Sequence, residues 1–166
     1  MRIFTFLSIF FIVSCHSDQN EDGYLRMIGD ILYDANQDDP DFKLCNGDKM
    51  AIQYYALGEK TYDGEKITIE RIFKSEFNPT IVKKESGLVR IRFMVNCNGE
   101  SGRFRLLAID QNYQAKTFDN KLTDQLMHIT KNLKGWKGFT RKGIGRDYYQ
   151  YLIFKIKDGN IIEIMP

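Results

Sequence analysis

Histidine is almost missing from this 166-residue chain. His16 sits in a polar stretch near the start, and His128 has no companion histidine or cysteine nearby in sequence. A histidine-built metal centre or nucleophile–base pair therefore has no sequence support. No glycine-rich phosphate loop, HExxH or GxSxG occurs, so the common nucleotide, zinc-protease and serine-hydrolase signatures are absent. Scattered carboxylates leave an acid pair open, because their separation in space is not readable. An excess of either charge is also lacking: 24 basic against 22 acidic residues give a formal net charge of +2. That balance offers nothing for nucleic acid to bind. Internal repeats and low-complexity runs are missing. After residue 15 no apolar run approaches the ~20 residues of a membrane span. With 43% hydrophobic and 28% charged residues, the composition is that of one folded domain with a small appendage.

The apolar run that does occur lies at the start. Arg2 precedes Ile3 to Val13, and Ile12-Val13-Ser14-Cys15 ends the run in small residues before a cysteine. This resembles the lipobox of bacterial lipoproteins; an ordinary secretory signal with a chance cysteine is the alternative. The resemblance implies that residues 1–14 are a signal peptide cut before Cys15, which carries the lipid and tethers the chain to a membrane. Residues 15–23 are polar and acidic, the composition of a flexible tether. Acidic residues directly after such a cysteine resemble signals for the outer membrane or cell surface, so the expected location is the cell envelope, at the outer membrane on either face.

Residues 24–60 form an extension of little regular pattern. Leu25, Ile28, Ile31 and Leu32 have helical spacing, interrupted by Gly29, Asp30 and Asp34. Asp38-Asp39-Pro40-Asp41 reads as a turn. The four carboxylates from Asp34 to Asp41 lack the glycine and closing glutamate of an EF-hand, so a solvated acidic loop is the reading preferred over calcium. Asp48 is a candidate cap for a short helix through Leu57, carrying Ile52 and Tyr55 inward.

Residues 61–166 are organised around a strand, Gly87 to Asn96. Val89, Ile91, Phe93 and Val95 alternate on one face, with Leu88, Arg90, Arg92 and Met94 on the other. Asn98-Gly99 makes a tight turn, and Arg103 to Ile109 returns with Phe104, Leu106 and Ala108 on one side. A helix precedes the hairpin, with Asp63 as N-cap, Ile69, Ile72, Phe73 and Phe77 as its apolar stripe and Asn78-Pro79 as its stop. A charged link, Lys83 to Ser86, joins the two. A second helix follows, capped by Asp119 or Thr117, with Leu122, Leu126, Ile129 and Leu133 in step and Gly135 where a left-handed cap belongs. Then come Trp136, a basic solvated loop holding Lys134, Lys137, Arg141, Lys142 and Arg146, and a third strand, Tyr148 to Lys157. Asp158-Gly159 is a second hairpin turn before a last strand from Ile161 to Met165. Once Cys15 is taken by lipid, Cys45 and Cys97 are the remaining pair, and in an oxidising envelope they are expected to form a disulfide. The expected fold class is α+β, a small antiparallel sheet of three or four strands with two helices on one face.

The order of these pieces resembles the C-terminal domain of TonB and its stand-alone relatives. Glu65 to Pro79, closing on Phe77-Asn-Pro79, resembles the leading helix; Gly87-Leu-Val-Arg-Ile-Arg-Phe-Met-Val-Asn-Cys-Asn-Gly99 resembles the strand and turn. Phe118 to Trp136 is similar to the second helix with its terminal tryptophan, and Leu152-Ile-Phe-Lys-Ile-Lys-Asp-Gly159 to the final strand and turn. The likeness runs from Tyr62 to Ile164. Lys137-Gly138 replaces the family's Pro-Gly, and Asn78-Pro79 its Tyr-Pro. With no spanning anchor or proline-rich linker after Cys15, energy transduction is not expected. The resemblance implies a module that binds extended peptides by strand addition. It puts Gly87 to Asn96 mid-sheet and the binding edge at the third strand, with Tyr149, Tyr151, Ile153, Pro79 and Trp136 as edge candidates. The residues after Gly159 are expected to fold back over that edge and compete with a partner peptide. Another envelope protein or an extended peptide is the implied partner, and a homodimer by edge pairing stays open. A structural lipoprotein without a specific ligand, or an unrecognised small hydrolase, are the alternatives. No catalytic residue, metal or cofactor is implied.

Overall fold

The computed structural model describes residues 30–165. The expected signal, Cys15 and the acidic tether lie outside the described residues, as do Leu25 and Ile28. The fold is α+β. In chain order it runs β1 (Ile52–Gln53), α1 (Glu65–Glu76), β2 (Gly87–Val95), β3 (Ser101–Ile109), α2 (Asn120–Asn132), β4 (Phe139–Arg141), β5 (Ile144–Arg146), β6 (Tyr148–Lys157) and β7 (Asn160–Met165).

The sheet has five strands and is mixed, which corrects the expected antiparallel sheet of three or four. Strand β2 is central, antiparallel to β3 and to β6, so that Ile91 stands opposite Leu106 on one side and Leu152 on the other. β1 lies parallel to β6 at Tyr148 and Tyr149, and β7 antiparallel to it at Ile153 to Lys157. The period-two face of β2 is fully covered: Val89, Ile91, Phe93 and Val95 are each 0% exposed. Ile69 and Phe73 of α1 and Leu122, Leu126 and Ile129 of α2 share one apolar core with them. Each such side chain contributes roughly 1.5–3 kcal/mol by leaving water.

A second, smaller cluster joins Ile31 and Ala51 to Met94 and Tyr149, with Phe42 and Leu44 against it. It belongs to the other face of the sheet. A Cβ on Gly102 would stand 2.3 Å from the Phe42 ring, so only glycine lets that ring settle there.

Four local expectations are corrected. Ile31 and Leu32 are not helical, and no helix runs from Asp48 to Leu57. Two 3-10 turns, Asp48–Met50 and Tyr54–Ala56, flank β1 instead, and Tyr55 points outward at 69% exposure. Pairing with a strand about a hundred residues away overrides the local helical signal there. The cap of α1 is Gly64, with φ 71°, and no side chain caps it. Asp63 gives its N–H to Gly135 and its carboxylate to Lys137 at 3.1 Å. Gly135 does not adopt the left-handed conformation; its missing Cβ lets the Tyr62 ring approach within 2.8 Å of where that atom would be. The basic stretch after Trp136 is not a loop but the β4–β5 hairpin, turned by Lys142 and Gly143 at φ 53° and 76°. Among the described residues no helix is long and apolar enough to cross a membrane.

Candidate functional site: the sheet edges

Two outer edges matter, those of β6 and β3. Asp158 and Gly159, at φ 51° and 78°, form the tight turn that folds β7 back onto β6. β7 covers Ile153 to Lys157 and β1 covers Tyr148 and Tyr149, so the edge of β6 is uncovered by a strand only at residues 150–152 among the described residues. Ile164 of β7 is 4% exposed and part of the main core. The tail is thus built into the fold.

The five edge candidates do not share one surface. Tyr149 is 3% exposed, inside the second cluster. Trp136 is 5% exposed, set edge-on to Tyr62 at 4.7 Å and Phe93 at 5.0 Å. Both are packing residues. Tyr151 is half-buried, under the Arg90 guanidinium at 4.8 Å and edge-on to Tyr54 at 5.3 Å. Burial, then its hydroxyl contact with Tyr151, pushes the Tyr54 phenol up to about 12. Ile153 is half-buried opposite Arg90 and Met165. Pro79 is exposed in a 3-10 turn and lines a cleft between α1 and β7.

The outer edge of β3 is different. β2 occupies one side of this nine-residue strand, and among the described residues no strand pairs with the other. The chain touches it only at its end, where Lys116 donates to the Ala108 carbonyl at 3.0 Å. That bond fixes the parity of the strand: Ala108 faces outward, and so do the main-chain groups of Leu106 and Phe104. Leu107, whose side chain stands on the sheet face away from the helices, is 58% exposed.

Next to this edge the N-terminal segment is strapped down by groups the sequence did not single out. Arg105 holds both oxygens of Asp38, at 2.6 and 2.7 Å, and donates to the Leu32 carbonyl at 2.8 Å. The guanidinium holds the Asp38 carboxyl below the usual aspartate range, outweighing the opposing effect of burial. Asp38 is 7% exposed, which corrects the reading of Asp34 to Asp41 as a solvated loop. Arg103 pairs with Asp48. Cys45 and Cys97 are joined by a disulfide. Beside it Asp147, 0% exposed, accepts N–H bonds from Cys45 and Asn46 at 2.9 Å and Cys97 at 3.1 Å.

These three side chains lie close enough to suggest a metal centre. Their sulfurs are spent on the disulfide and both carboxylate oxygens on N–H groups, so the cluster is an anchor. His128 is exposed, 3.1 Å from Asn132 on the next turn of α2. No family model, curated protein or solved structure matches the chain.

Proposed function

We propose that this protein is a lipid-anchored envelope protein that holds an extended segment of a partner polypeptide by strand addition at the outer edge of β3. The uncovered edge of β3 is the observation that carries the reading: a long strand with outward N–H and C=O groups at Phe104 and Leu106. An added strand gains main-chain hydrogen bonds there, and the exposed Leu107 helps choose its side chains. The order helix, strand, strand, helix, strand, strand from α1 to β7 supports a TonB C-terminal-like arrangement, with the β4–β5 hairpin inserted. On this reading Cys15 carries the lipid, the site belongs to β3 instead of β6, and the module transmits no energy by itself.

A pair of variants tests it. Leu106→Ala and Leu106→Pro remove the same side chain, but only proline removes the outward N–H, which β2 does not use. Short peptides selected from a display library should bind the alanine variant and lose the proline variant. Equal binding to both rejects the β3 edge.

A further inference from the structure

We propose a second site, separate from the β3 edge: the cleft beside the middle of β6 receives an uncharged apolar side chain of a peptide together with the adjoining main-chain N–H. The cleft has a volume of about 430 Å³ and lies along the stretch of β6 that neither β1 nor β7 covers. Ile69, Leu152 and Ile164 supply its apolar lining, each at most 5% exposed. Gln150 also lines it and is 3% exposed, yet its Oε1 is buried without a hydrogen-bond partner among the described residues. A buried acceptor without a donor is costly, and a ligand N–H placed there recovers that cost.

Two further observations define the ligand. The charged lining is balanced: Glu59 and Glu65 face Lys60 and Lys66, with Lys60 paired to Glu65 and Lys66 to Glu70. Such a rim gives no field for an ionic group. The main chain of β6 points the same way. The Asp147 carbonyl accepts from Ile52 of β1, so odd-numbered residues of β6 face that side, Tyr151 among them. Tyr151 therefore presents an N–H and a C=O where no strand lies. An apolar peptide meets all three demands, with its side chain on the aliphatic lining and its main chain on Tyr151 and Gln150.

The test uses the ¹⁵N-labelled full-length chain in detergent micelles, titrated with capped tripeptides acetyl-Ala-X-Ala-amide, X being Leu, Phe, Lys or Glu. The leucine and phenylalanine peptides should give saturable shifts at the Gln150 side-chain amide and the Tyr151 main-chain amide. They should also change the fluorescence of Trp136, the chain's single tryptophan, whose ring abuts the cleft residue Tyr62. The lysine and glutamate peptides should bind about tenfold more weakly or worse. Gln150→Leu should weaken the leucine peptide about tenfold, as expected when a donor loses its acceptor. The exposed substitution Glu65→Lys, which leaves the lining intact, should improve only the glutamate peptide. Absence of saturable shifts, equal binding of all four peptides, binding of methyl glucoside in their place, or shifts confined to Phe104 and Leu106 overturns the assignment.

Discussion

Asp147 and Asp38 show how single carboxylates can fix a whole segment. Asp147 gathers three main-chain donors from two distant parts of the chain. Asp147→Ala leaves those donors without an acceptor in a buried site, and should lower the unfolding free energy by about 3 kcal/mol in urea denaturation. Asp38 gives a pH signature. Its folded pKa lies below the ordinary value of 3.8, so its contribution is complete above that value and is lost as pH falls through the folded one. The stability difference between the wild type and Asp38→Asn should be greatest near neutrality and shrink steadily below pH 3.8, measured by denaturation across a pH series. A difference that grows in acid contradicts the Arg105 pairing. Neither residue was legible in the sequence. Asp38 sits in a run whose composition signals a turn, and its partner lies 67 residues away. Local pattern carries no trace of such a pair.

At the level of elements, what was legible was periodic. Val89 to Val95 at period two and Leu122 to Ile129 at helical spacing each bury one side, so the core they form was readable before any pairing was known. Short elements were not. β1 has two residues and is extended because it lies against β6, while β4 and β5 have three each and carry too few side chains to show a period. The Asx-Gly turns behaved differently: Asp158-Gly159 announced β7, but its sequence did not say whether β7 is a removable flap. Burial answers that. Ile164 is 4% exposed and Ile162 52%, two residues apart on the same strand. Ile164→Ala should cost about 2–5 kcal/mol, whereas Ile162→Ala should stay within about 0.5 kcal/mol, in parallel thermal unfolding. Similar small losses for both would make β7 a loosely held flap and restore β6 as an edge open to peptides.

For the whole molecule, the disulfide and the two arginine straps join the 31–50 segment to a sheet whose core is built without it. The bond closes a separation of 52 residues, worth roughly 4 kcal/mol in the chain-entropy model. The Cys45→Ser, Cys97→Ser double variant should lose about that much and become sensitive to protease within residues 31–50, while the β2–β3–β6 pairing keeps its slow amide exchange. With that segment fixed over one face and the helices over the other, and with β1 and β7 beside β6, the β3 edge is left as the place where another chain can join the sheet. Amide hydrogen exchange of the full-length chain, with and without a bound extended peptide, tests this most directly. The account predicts that the amides of Phe104 and Leu106 slow on binding while their inward-facing neighbours Arg105 and Leu107, already turned toward β2, change little. Protection confined to β6 and β7, with Phe104 and Leu106 unaffected, would contradict it.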